Sequence, residues 1–233
     1  MELSQVMRTT PATRAFVDAP LSDQTLYEIL DRARFAPNGG NRQSWHVIVV
    51  RDPAVKRRIS ELYDLGMREY MGYHRAGLVP FAASEVLERY HSGGEPHPGI
   101  DLAAAREIPL EVGPPEYMAT APVLLVITLD LTNVSAVDSG LGRLSIAAGG
   151  SVYPFAHNIL LAARDLGFGG HVTSVLARQE PELRKLLGIP EQQVLATMIP
   201  LGKPEREITR LRRNSVEEFT TAGTADGPAF TRP

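Results

Sequence analysis

Cysteine is absent from all 233 residues. That absence excludes disulfides, thiolate nucleophiles, iron–sulfur clusters and cysteine-ligated zinc. It also accords with a reducing cytoplasm, the location expected for this chain. An excess of one charge is missing too: 24 Lys and Arg stand against 27 Asp and Glu, a net charge of -3. Such a balance speaks against a nucleic acid or an anionic membrane as the main partner. Long apolar runs are also lacking. The longest, "PVLLVITL" at 122–129, is far too short to span a bilayer as a helix. The opening "MELSQVMRTT" offers no apolar core for a signal peptide. What remains, 43% hydrophobic and 22% charged residues, is ordinary for a soluble chain able to bury a proper core.

Several familiar signatures of chemistry are missing as well. No serine sits in a Gly-x-Ser-x-Gly elbow. The glycines of "DLGFGGH" follow a helical pattern instead of opening one, so they read as a helix C-cap and a close turn, not a dinucleotide fingerprint. "PLGKPE" lacks the remaining Gly and the Ser/Thr of a P-loop. His91 and His97 flank Glu95 in "HSGGEPHP", where no regular structure would hold a metal, so they read as solvated histidines. His46 on a strand and His157 on a helix read as satisfied polar residues, with an interface as the other reading of His157. No metal site is expected.

The periodicities give an α+β pattern. "LSDQTLYEILDRARF" is an amphipathic helix with Leu26, Ile29, Leu30 and Ala33 on one stripe and Ser22 as N-cap. "WHVIVV" is a strand, and "DPAVKRRISELYDLG" a helix started by Asp52 and Pro53. "APVLLVITLD" reads as a strand buried on both faces. "GSVYPFAHNILLAARDLGFGG" is a long apolar helix capped by Ser151 and closed by Gly167, placed at a domain centre or a subunit interface. "QEPELRKLLGIP" gives a short helix and "QQVLATMIPLG" the last strand. One domain is expected over 1–233. It carries a helical excursion at about 66–118, centred on "PFAASEVLERY", and an extended arm from about 203 that frays over "TTAGTADGPAFTRP".

The stretch "RFAPNGGNRQSWHVIVV", Arg34 to Val50, packs a polar, glycine-rich loop between a helix and a strand. It is either a plain turn, since Asn and Gly tolerate positive φ, or a place where backbone approaches a flat ligand beside the amides of Asn41 and Gln43. Arg8 and Arg14 near one end, and Arg210, Arg212 and Arg213 near the other, are either solvated or a clamp for a phosphate and a conjugated ring. Composition does not choose.

Taken in order, these segments resemble the FMN-dependent nitroreductase family. "RTTPATRAF" is similar to its basic opening motif, and Ala36 to Trp45 to its Ala-Pro-Ser-x-x-Asn-x-Gln-Pro-Trp loop. "LGFGGHVTS", "LLGIPEQQ" and "PLGKP" resemble later segments, ahead of a basic tail. The resemblance implies a nitroreductase-like α+β fold: a central mixed, mostly antiparallel sheet flanked by helices, in an intertwined homodimer with FMN at the interface. It implies hydride transfer from NAD(P)H through FMN to an electron-poor acceptor such as a nitroaromatic or quinone, with no catalytic side chain beyond Arg14 as an electrostatic stabiliser. Dehydrogenation, dehalogenation or flavin breakdown on the same fold, or a non-enzymatic flavin or deazaflavin binder, stay open. Arg14 would face the pyrimidine edge, and Arg8 and Thr10 the ribityl or phosphate oxygens. Pro37, Asn38, Gly39 and Asn41 would cover the flavin from the other subunit, and Gln43 would bind the cofactor as well. Thr173 and Ser174 would lie beside N5, with a main-chain N–H facing it, and Arg212 and Arg213 would clamp the phosphate. Thr10 stands where many members carry arginine, and Ser44 where proline is frequent. Tyr70, Tyr73, Phe81 and Tyr90 of the excursion form a candidate acceptor-site lid, or else a brace between subunits.

Overall fold

The computed structural model describes residues 1–81, 99–110, 117–143 and 145–232. Its centre is β2 (Val123–Asp130), buried from Val123 to Leu129. Side chains alternate along a strand, so both faces must be apolar for such a strand to sit between two layers. Val123, Leu125, Ile127 and Leu129 join one core with Leu26, Ile29, Phe155 and Ile159. Leu124 and Val126 join the other with Ile59, Leu62, Leu183 and Met198. Each such leucine stabilises the fold by roughly 2 kcal/mol. β1 (Trp45–Val50) and β4 (Gln193–Gly202) flank β2, and the two-residue β3 (Gly169–Gly170) completes the order β1-β2-β4-β3. All three pairings are antiparallel, and a parallel bridge from Ala12 to Gly170 makes the sheet mixed at its edge.

The early helices follow the sequence closely. After α1 (Leu3–Thr9), α2 (Asp23–Ala33) is capped by Ser22, whose hydroxyl accepts the Thr25 N–H at 3.1 Å. α3 (Pro53–Arg75) starts where Asp52 accepts the N–H groups of Ala54 and Val55 at 2.8 and 3.0 Å. It then runs ten residues into the stretch assigned to an excursion. Gly66 permits this: a Cβ there would lie 2.8 Å from the Val175 carbonyl oxygen. α4 (Leu102–Glu107) and α5 (Tyr117–Thr120) pack back onto α3. Most of "PFAASEVLERY", with Tyr90, His91, Glu95 and His97, lies outside the described residues.

Two expectations need correction. α6 (Gly149–Asp165) begins ahead of Ser151, so Ser151 is not its cap; its hydroxyl instead accepts the Gly39 N–H at 3.3 Å. The helix does close at Gly167, with φ of 80°. The chain end does not fray throughout: Thr221 bridges Ala229, and the Ala222 N–H donates to the Pro228 carbonyl at 2.8 Å. α7 (Glu180–Leu187) leads into β4. Among the described residues no helix is long and apolar enough to cross a membrane.

Candidate functional site

Two groups of residues account for most of the expected site, and they are built differently. The first gathers beside β3. His171 is buried, and its Nδ1 lies 3.0 Å from the Thr13 carbonyl oxygen. Burial pushes its imidazole down to about 4; the Thr13 carbonyl opposes this and Arg14 adds to it. The ring is therefore neutral at pH 7, with Nδ1 donating to Thr13 and Nε2 a lone-pair acceptor. That buried Nε2 has no partner among the described residues. The Tyr117 ring meets His171 edge-on at 5.4 Å. Burial pushes the Tyr117 hydroxyl above its ordinary value; Tyr63 adds to this, while Arg14 opposes it. Arg14 itself is exposed and has no acidic partner among the described residues.

Thr173 follows two residues later and is fully committed. Its N–H donates to Met198 at 3.0 Å, its carbonyl accepts from Met198 at 2.9 Å, and its hydroxyl meets Tyr63 at 3.2 Å. A Thr173 N–H facing a flavin is thereby excluded in this arrangement. Ser174 is exposed, and its N–H has no acceptor among the described residues, so it is free to donate to a ligand.

The second group is the loop after α2. Gly40, Asn41 and Gln43 have φ of 64°, 54° and 49°. Asn38 staples the loop: its Oδ1 accepts the Gln43 N–H at 2.8 Å and its Nδ2 donates to Ala36 at 3.2 Å. Trp45, at the loop's exit, stacks on Phe155 with centroids 4.6 Å apart. Pro37, Asn38 and Gly39 line a cleft of about 400 Å³ with Ser135, Gly150 and Ser151. Gly39 and Asn41 are exposed. Among the described residues no hydrogen bond, ion pair or ring contact joins this loop to Arg14 or Ser174.

The other assigned residues are more scattered. Arg8 lines a separate cleft of about 520 Å³ with Arg164, Asp165 and Glu207. Thr10 donates its hydroxyl to the Val6 carbonyl at 2.7 Å, so that proton is not free for a phosphate oxygen. Arg212 and Arg213 are exposed on the arm, where Arg213 bonds the Arg212 carbonyl at 2.6 Å. Tyr73 is buried against Phe81 at 4.7 Å, a packing position, whereas Tyr70 is half-buried beside His74. Tyr90 lies outside the described residues. Sequence reasoning passed over His171, Tyr117 and Tyr63. Their partners are distant in sequence, and only the buried, unpartnered Nε2 marks the place.

A sheet between helical layers, an exposed Arg14 without an acidic partner and a Ser174 N–H without an acceptor among the described residues together suit a flavin-using oxidoreductase. The nitroreductase family model matches residues 7–203, and the chain belongs to that family. A putative NADH dehydrogenase/NAD(P)H nitroreductase of Archaeoglobus fulgidus is 28% identical, over 88% of this chain and 87% of that protein. The nitrobenzene nitroreductase of Ectopseudomonas oleovorans is 27% identical, over 94% and 96%. Among solved structures, iodotyrosine deiodinase bound to FMN and 3-iodo-L-tyrosine superposes with a TM-score of 0.65 at 20% identity. That likeness covers 95% of this chain and 99% of the other, and it establishes the fold.

The residues present suit a flavin mononucleotide. An exposed guanidinium without an acidic partner suits an electron-rich ring edge. An exposed loop whose Gly39 and Gly40 carry no side chain suits a close planar contact. Arg8 and Thr10 share neither a bond nor a cleft lining among the described residues, so these two do not by themselves form a phosphate site.

Proposed function

We propose that the chain is an FMN-dependent oxidoreductase acting as a homodimer, with NAD(P)H as donor and an electron-poor acceptor such as a nitroaromatic or quinone. The observation that carries this is the division of the site. Arg14 and Ser174 are exposed, as is most of the Pro37–Gln43 loop, and among the described residues no hydrogen bond, ion pair or ring contact joins the two. Two copies related by a twofold axis would supply each half to the other, twice.

FMN, when bound, supplies the hydride chemistry. Arg14 holds a positive charge where negative charge develops on the ring edge. The Ser174 N–H offers a donor at a fixed height, because Thr173 beneath it is tied to the sheet. The partner's loop excludes water from the opposite edge, with Asn38 keeping it folded. No side chain needs to move a proton.

The test is an absorption spectrum of the purified chain before and after anaerobic NAD(P)H. Flavin bands that bleach on reduction, and return with a nitroaromatic or quinone, are expected. Return with an iodinated phenol alone would move the acceptor class to dehalogenation. A chain that binds flavin adenine dinucleotide and not FMN would sink the proposal.

A further inference from the structure

Glu69 lies on α3, fully buried, and serves three donors at once. The Arg106 Nε, from α4, donates to it at 2.6 Å, the Arg178 Nε at 2.8 Å and the Gln179 Nε2 at 3.2 Å. A carboxylate out of water is tolerable only when it is paired this completely. The last two donors belong to the 3-10 turn Val175–Gln179, which begins directly after Ser174. Arg178 also lies over the Phe81 ring, 4.8 Å from its centroid, and Phe81 packs on Tyr73. One turn of helix earlier, Gly66 lets the Val175 carbonyl approach α3 closely. The turn that presents the Ser174 N–H is thus seated on α3 by a glycine below and an ion-paired carboxylate above.

We infer that Glu69 is a positioning residue that sets the Ser174 main-chain N–H, and that it couples this N–H to the Phe81 and Arg106 segment. The inference rests on the proposed flavin site for its effect on chemistry, though not for its effect on the turn. Arg178 is the link. Its side chain touches both Glu69 and Phe81, so a shift of Phe81 reaches the turn after Ser174 through this guanidinium. Arg106 bonds the same carboxylate from the other side, so α4 biases the turn as well. Groups that fill or disturb the Phe81 side would in this way alter the donor facing the cofactor without touching it.

The experiment uses the full chain in two arms. In the flavin-free chain, amide hydrogen exchange is followed at Val175–Gln179 and, as a control for global stability, within α6. Glu69→Gln and Arg178→Met should each speed exchange in the turn by about tenfold, with α6 unchanged. Equal rates in the turn would overturn the inference whatever the flavin does. In the FMN-loaded chain, both variants should slow reduction by saturating NAD(P)H by about tenfold and change the flavin's bound absorption spectrum. Arg178→Lys keeps a positive charge facing the Glu69 carboxylate, so it should recover much of the loss. A faster-exchanging turn with unchanged flavin reduction would refute the coupling to Ser174. A wild-type chain that binds no FMN would remove the flavin-site reading instead, and the exchange arm would then decide the positioning role alone.

Discussion

The Tyr63 hydroxyl lies 3.2 Å from that of Thr173, a buried contact across 110 positions of sequence. With Met198 holding the Thr173 main chain and the Thr197 hydroxyl donating to its carbonyl at 2.9 Å, Thr173 is fixed on every side. Tyr63→Phe should leave the Thr173 hydroxyl without that partner and cost about 1–2 kcal/mol, read from denaturant midpoints. A double-mutant cycle with Thr173→Val should show a coupling of about 1 kcal/mol. Additive single costs would mean that the two hydroxyls do not interact.

His171 makes stability depend on pH in a defined window. Its folded value of about 4 lies below the ordinary 6.5, so between these the unfolded chain binds more protons. Stability from this group is therefore complete above pH 6.5 and is lost as pH falls towards 4. The gap between the folded and ordinary values corresponds to about 3 kcal/mol. His171→Gln removes the titration, so the unfolding free energy of the variant should fall less steeply across that range. Parallel profiles for the two proteins would show that the ring titrates normally.

Site sharing between subunits has a distinctive outcome. Gly40→Val forces a β-branched residue to a φ of 64°, which should wreck the loop, while Arg14→Gln disables the other half. Each variant alone should reduce nitroaromatic turnover severely. When the two are co-expressed, a mixed dimer has one site with both lesions and one with none, so it should regain about half of wild-type activity. A mixed dimer no better than its parents would place both halves in the same chain.

Much of the fold is legible in the sequence because its signals are local. The Asp52–Pro53 start of α3, the stripe of α2 and the two apolar faces of β2 need only neighbours in the chain to be read. The Ser151 hydroxyl has an acceptor's choice between its own helix and a glycine 112 residues away, and periodicity says nothing about which prevails. The length of α3 is hidden for a similar reason: Gly66 reads as a stop, yet it is a point of contact with Val175. α1 shows only Val6 and Thr9 as its buried face, too little for a stripe. In the site, Arg14 and the loop were reachable through the family resemblance. His171, Tyr117 and Glu69 were not, because their roles come from partners brought together by folding.

Arg14 carries the sharpest expectation. It is exposed in the single chain and unpaired by any described carboxylate, so its charge is available to a ring edge placed beside it. A positive charge there favours the reduced, anionic ring over the oxidised, neutral one, which raises the two-electron potential. For a two-electron couple about 30 mV corresponds to about 1.4 kcal/mol, and a partly screened charge at contact distance acts on that scale. Arg14→Gln should therefore lower the potential by several tens of millivolts, measured by dye-coupled titration with FMN saturating. Reduction by NAD(P)H should slow in the same variant. Arg212→Gln, on the exposed arm, should weaken FMN affinity and leave the potential of the bound flavin unchanged. If Arg14→Gln keeps the wild-type potential, this arginine does not face the ring, and the donor set around Ser174 would have to be assigned without it.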